Sequence, residues 1–255
     1  MRALMLAVAP LLFGMAAPAA DVSAVLAVPR QRIQEADYRA TGQLVRVDAA
    51  GARLSYGVTL KAHWFPGVLR VLLEINSPAS ARAHVLLEMR PEGHNAIQIA
   101  HPGDKAAAAL PFDKWSDGPL GAGFSYEDLF ESQYFWPGQT ALEPAKYGAR
   151  DCDVIMSTPG SADRTHYSQV KTWLDKSIGF PVYAEKSAKD TAAVKEFTYF
   201  GLRHNGGVWS ASQIEAKVRG QAGSTLLIVN GGSAKANLTL KDFSPTALVH
   251  FQDGP

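Results

Sequence analysis

Along residues 53–64 the side chains alternate between apolar and polar with a period of two. Leu54, Tyr56, Val58, Leu60, Ala62 and Trp64 share one face; Arg53, Ser55, Thr59, Lys61 and His63 share the other. Such alternation marks a strand of an antiparallel sheet with one buried and one wet face. The pattern recurs after the Pro66-Gly67 turn in Leu69, Val71, Leu73 and Ile75, then in Val85, Leu87 and Met89, then in Ile97 and Ile99. In the second half, residues 152–156, 166–174, 180–186, 195–202 and 212–219 read as strands, and Leu226 with Ile228, then Leu238 with Leu240, close the series. Turn residues at Gly179, Asn205-Gly206-Gly207, Gly220 to Gly223 and Asn230-Gly231-Gly232 separate them at hairpin spacing. The pattern predicts roughly eleven strands.

Two segments break the period. Pro29 to Tyr38 reads as a short helix with Pro29 in its first turn. Residues 104–148 interrupt the meander. Within them Tyr126, Leu129, Phe130, Gln133 and Tyr134 fall at helical spacing, and Ser125 with Asp128 resembles a capping box. A helix over 124–134 is therefore predicted, placed to cover something apolar. A one-sided sheet of this length must curl and cover its apolar face. The fold class that follows is mainly β (α+β): a curved antiparallel sheet with a helical lid or plug. The residues alone leave two outcomes open, a filled core or a pocket, with the filled core as the default.

Composition narrows the functions. Hydrophobic residues make up 47% and charged residues 19% of the 255, which excludes a disordered chain. Lys+Arg 25 against Asp+Glu 24 gives a formal net charge of +1, too little for the dense basic footprint of a nucleic-acid binder. The single cysteine, Cys152, excludes an internal disulfide and reads as buried and inert between carboxylates. The histidines, His84 among them, show no metal-ligand spacing and read as surface residues. No nucleophile elbow and no phosphate loop occur. Glu127 and Asp128 are adjacent on the predicted helix, so they diverge rather than form a catalytic pair, and their plain role is charge near a helix N-terminus. No catalytic residue, metal site or cofactor is expected, and the chain is not read as an enzyme.

Residues 1–20 combine Arg2, an apolar run from Ala3 to Met15 and the small residues of Ala17-Pro18-Ala19, the pattern of a cleaved signal peptide. The expected product is a periplasmic monomer with residues 21–255 as a single domain.

Four segments carry a resemblance to a known family. They are Phe124-Ser125-Tyr126-Glu127-Asp128-Leu129; Asp37-Tyr38-Arg39-Ala40-Thr41; Trp173-Leu174-Asp175-Lys176 followed by Gly179-Phe180-Pro181-Val182; and Asp242-Phe243-Ser244-Pro245. In order and spacing the chain resembles the LolA-like outer-membrane lipoprotein-sorting family over most of residues 30–248. It departs from the usual pattern at Leu120-Gly121-Ala122-Gly123, where the family often has Met-x-Gly-Ser-Asp. The resemblance implies a curved half-barrel plugged on its open side, acting as a periplasmic carrier of lipid or lipoprotein acyl chains. Some members sit beside RND/MMPL-type exporters, so an inner-membrane exporter of that type is an expected partner and a non-enzymatic accessory role is the alternative. The resemblance also shifts the expectation from filled core to cavity. The strand face and the plug aromatics then become the expected lipid-binding residues: Tyr56, Val58, Leu60, Trp64, Leu69, Val71, Leu73, Val85, Leu87, Phe124, Tyr126, Leu129, Phe130 and Tyr134.

Overall fold

The computed structural model describes residues 21–118 and 123–251. The proposed leader, residues 1–20, and the departure at 120–122 lie outside the described residues.

The described residues form one 13-stranded antiparallel sheet rather than roughly eleven strands. In chain order the strands are β1 Asp37–Val47, β2 Arg53–Phe65, β3 Val68–Ser77, β4 Ala83–Met89, β5 Ala96–Ala100, β6 Ala108–Ala109, β7 Gly138–Tyr147, β8 Arg150–Thr158, β9 Tyr167–Asp175, β10 Pro181–Ala188, β11 Val194–Asn205, β12 Val208–Val218 and β13 Ser224–Ser233. The order across the sheet is β6-β5-β4-β3-β2-β1-β13-β12-β11-β10-β9-β8-β7. Two meanders are thus zipped together by β1 against β13, with a bulge at Thr41/Gly42. The two additional strands are the edges. β6 is two exposed residues, and β7 carries Pro144 and Lys146 beside a register shift between Leu142 and Ala145. Short length, proline, charge and a bulge all blunt an edge, and all erase the period-two signal as well.

The edge strands β6 and β7 are neighbours in sequence but lie at opposite ends of the sheet. The chain between them has to cross the open side of the curve, so a plug over the concave face follows from the topology itself.

The first helix, α1, runs Val22–Gln34 with Pro29 inside it, rather than Pro29 to Tyr38. Asp21 caps it, accepting from the Ser23 N–H at 2.9 Å. Leu26, Pro29 and Ile33 form its buried face, so packing on the sheet offsets the hydrogen bond that proline removes. Tyr38 already belongs to β1. The hairpin between β9 and β10 docks this helix. Gly179 sits at φ +62°, and a Cβ there would lie 2.6 Å from Val28 Cγ1 of α1. Only glycine satisfies both the left-handed turn and the close approach.

The outer face is not uniformly wet. Leu72 and Leu86 form a second apolar cluster with Leu238, Phe243 and Leu248 of the C-terminal segment. Leu238 and Leu240 are not a strand: residues Leu240–Phe243 make a 3-10 turn, followed by a short helix, α2, over Pro245–Val249. Asp37 anchors the segment by accepting from the Asn237 and Leu238 N–H groups, both at 2.9 Å. His84, read from sequence as a surface residue, is 6% exposed. It bonds the Leu248 carbonyl at 2.9 Å and stacks on Phe251. Its burial comes from residues more than 160 positions away, which no local pattern carries. Cys152 is buried as expected, and burial raises its thiol pKa.

Phe243 joins the C-terminal segment to the sheet, edge-on to Phe65 at 5.7 Å. Phe243→Ala is expected to lower unfolding stability by about 3–5 kcal/mol, read from the denaturant midpoint at constant slope.

Candidate functional site

The concave face and its cover form one apolar cluster. Of the β2 side chains assigned to that face by alternation, Tyr56 to Trp64 enter it, whereas Leu54, near the strand's start, is exposed at 49%. Val58, Leu69, Val71, Leu73, Val85 and Leu87 are buried, and Tyr56, Leu60 and Trp64 are partly buried against them. From the plug, Phe124, Phe130 and Tyr134 are buried, with Tyr126 and Leu129 packed at the margin. The far wall supplies Ile155, Leu174, Ala184, Phe197, Ala216 and Leu227.

Among the described residues the side chains of the concave face pack directly against this cover, where a cavity was expected. The pocket beside Phe130, Trp136, Tyr167 and Lys186 holds about 10 Å³, room for about one water. A roomier groove of about 370 Å³ lies elsewhere, on the outer face at the β1–β13 seam beside Arg39 and Lys235.

The plug is not the predicted helix over 124–134. It is two 3-10 turns, Tyr126–Leu129 and Ser132–Tyr134, separated by Phe130 in an extended conformation (φ −82°, ψ 136°). The capping box is present: the Ser125 N–H and Oγ–H both donate to Asp128 Oδ2 at 2.7 Å. It closes a single turn, because the next side chains are held by the wall rather than by each other. Gly123 leads in at φ +92°, where a Cβ would lie 2.8 Å from the Ala216 carbonyl oxygen, so the chain enters almost touching the sheet.

Glu127 and Asp128 are not surface charges at a helix end; both are buried. Asp128 has a fully buried side chain. Lys186 Nζ donates to its Oδ1 at 3.0 Å and Lys195 Nζ to its Oδ2 at 3.0 Å. The Tyr167 hydroxyl donates to Oδ1 at 2.6 Å, and Lys195 also donates to Ser125 Oγ at 2.9 Å. Burial opposes ionisation of this carboxyl. The charges of Lys186 and Lys195, then the Tyr167 and Ser125 hydrogen bonds, outweigh it and hold the group well below the usual carboxylate range. Burial and the same carboxylate push the Tyr167 hydroxyl well above its usual value, so it stays a donor.

The other plug acids are clamped in the same way. Glu127 Oε2 accepts from the His166 N–H at 3.0 Å and Thr165 Oγ1 at 3.2 Å, and its Oε1 lies 3.2 Å from His166 Nδ1. Glu131 pairs with Arg32 of α1 at 2.7 Å, and Arg30 donates to the Tyr134 carbonyl at 2.7 Å. By contrast, the backbone–backbone bonds made by N–H groups from 112 to 135 stay within residues 111–135 among the described residues. The plug is therefore fastened by side chains, not by sheet pairing.

Sequence reasoning missed Lys186, Lys195, Tyr167, Thr165, His166 and Arg32. Two of them carried a signal. Lys186 and Lys195 sit at positions whose neighbours in register, Ala184 and Phe197, are apolar and inward, so both lysines point into the concavity.

Solved structures share this architecture. An outer membrane lipoprotein-sorting protein domain from Vibrio parahaemolyticus superposes with TM-score 0.79 at 19% identity, covering 90% of this chain and 100% of that one. A DUF1329 family protein from Desulfovibrio piger gives 0.76 at 16%, covering 89% and 98%. A LolA superfamily protein from Nitrosomonas europaea gives 0.66 at 16%, covering 90% and 100%. No curated protein matches the sequence. A family model described as "-like: Uncharacterized protein" matches residues 69–250. The chain belongs to that family, and its fold is LolA-like. The matched span takes in the plug, the three lysine and tyrosine partners of Asp128, and the C-terminal segment up to His250. No helix among its described residues is long and apolar enough to cross a membrane.

Asp128→Asn tests the clamp. Removing one partner of a buried ion pair is expected to destabilise by about 3–5 kcal/mol at pH 7. The folded-state pKa of Asp128 is depressed, so its contribution is fully present above the unfolded value of about 3.9 and is lost as pH falls toward the folded value. The stability difference between wild type and variant should therefore hold from neutral pH to about pH 4 and shrink below it, measured by urea unfolding across that range.

Proposed function

We propose that the protein is a periplasmic carrier that takes lipid or lipoprotein acyl chains onto its concave face when the plug lifts, and moves them between membranes. The observation that carries this reading is the fastening of the plug. A continuous apolar surface is covered by a segment that makes no backbone ladder to the sheet among the described residues and is held to the wall and to α1 by charged and polar side chains. Such a cover can leave as a unit without unzipping a sheet.

The magnitudes are compatible with exchange. An acyl chain of about fourteen methylenes, at about 0.8 kcal/mol each, gains about 11 kcal/mol on burial. Re-exposing Phe124, Phe130 and Tyr134 forfeits about 1.5–3 kcal/mol apiece, and the clamps add a few more. Cargo and plug are then close competitors for one face, as a carrier that must also release requires. The similar solved structures support the reading at the level of fold, and the leader pattern supports the periplasmic site.

A second reading is favoured by the packing of the concavity around its pocket of about 10 Å³: a non-enzymatic accessory of an RND/MMPL-type exporter that holds no lipid. Native mass spectrometry of protein purified from a bacterial periplasm, with solvent extraction of bound material, separates the two. The carrier reading predicts a lipid-sized adduct that extraction removes, and rebinding of a fluorescent lipid by the stripped protein. Adduct-free protein that binds no lipid from vesicles contradicts it and leaves the accessory role.

A further inference from the structure

The geometry points to a receptor for an anionic head group, phosphate or carboxylate, built from Lys186, Lys195 and Tyr167 and occupied by Asp128 while the plug is shut. This rests on the carrier reading above and adds the charge of the cargo.

Lys186 and Lys195 are directly opposite each other on β10 and β11. Like charges in that position repel. Here they are also removed from water: the Lys186 side chain is 5% exposed and that of Lys195 19%. Among the described residues no acid of the sheet pairs with them; the sheet offers only the Tyr167 and Phe197 ring faces. Their ammonium groups converge instead on the two oxygens of a single carboxylate carried by another segment, with the Tyr167 hydroxyl as a third donor. Two ammonium groups thus share one directly bonded carboxylate. The next acid in the chain, Glu127, is engaged by Thr165 and His166.

When the plug lifts, Asp128 and Ser125 leave together because they belong to one turn. Lys186, Lys195 and Tyr167 stay, because they belong to three adjacent strands of the wall, β9, β10 and β11. The vacated donors face the concave apolar surface, with Phe197 beneath Lys186 Nζ at 4.6 Å. A neutral amphiphile seated there buries two ammonium groups without a counter-charge, and a zwitterionic one brings a further cation beside its phosphate. An anionic one restores the contacts that Asp128 made. The same feature that makes the closed plug stable therefore selects against uncharged cargo.

The test titrates the full chain with chain-labelled phosphatidylglycerol, phosphatidylcholine of the same acyl composition, and the corresponding fatty acid. Anionic probes are expected to bind about tenfold or more tightly than phosphatidylcholine, the effect of one or two charge-assisted hydrogen bonds. Preference for phosphatidylglycerol alone assigns a phosphate, preference for the fatty acid alone a carboxylate. Lys186→Gln with Lys195→Gln should abolish the preference while phosphatidylcholine binding persists. A second check uses Asp128→Asn: with the plug loosened, the Tm gain over wild type should be larger with anionic lipid than with phosphatidylcholine. Equal affinities for all three probes, or equal Tm gains, overturn the receptor and leave the carrier reading standing. Binding of none of them overturns both.

Discussion

A carboxylate with no exposed surface has to be neutralised where it sits, and in this fold the groups that neutralise Asp128 lie on three strands far from it in sequence. Tyr167, Lys186 and Lys195 can meet Asp128 only if β9, β10 and β11 are paired in register and the connection from β6 to β7 has crossed the concavity. The contact thus requires the sheet, the curl and the plug at once. An apolar contact of similar size would hold the plug at least as firmly, since buried ion pairs rarely add net stability over a well-packed hydrophobic substitute. What the charged contact adds is a choice between two discrete conditions. Either the carboxylate is in place with all its donors, or two lysines are bare.

The rest of the closed form follows from one topological fact. A sheet whose edge strands are consecutive in the chain delivers its own cover. Gly123 lets that cover enter against the Ala216 carbonyl, and Gly179 lets α1 settle on the β9–β10 turn beside it. Arg30 and Arg32 then tie α1 to the plug through the Tyr134 carbonyl and Glu131. The two covering elements are coupled to each other as well as to the floor. On the other side, the C-terminal segment closes over Leu72 and Leu86, so the strands β3 and β4 are buried on both faces.

Much of this was legible in the sequence. Where one face of a strand is buried and the other wet, as in β2, the period of two names the strand and its inward residues, and from Tyr56 to Trp64 those residues enter one cluster, whereas Leu54 at the sheet's margin does not. The signature Phe124 to Leu129 was legible as a special segment, and its capping box formed. The chemistry of that segment was not legible. Aromatic spacing read as an α-helix because periodicity sees only the chain itself, whereas Glu127, Asp128 and Glu131 are each fixed by residues at least 35 positions away. The same blindness made His84 a surface residue and hid the two edge strands, whose features are those that suppress a strand pattern. The inward lysines were the one overlooked clue. A charge at an apolar position of a strand asks for a counter-charge, and an acidic pair inside an aromatic segment was available to answer it.

The central claim is that the segment from 112 to 135 opens as a unit from a sheet that stays folded. Native-state hydrogen exchange resolved to single amides measures this directly. The amides of Asp128, Phe130 and Tyr134 should exchange with one shared opening free energy, clearly below that of the β3 and β4 amides, and with little denaturant dependence. Protection of the plug equal to that of β3 and β4, lost only on global unfolding, would contradict the account and make the plug a permanent part of the core.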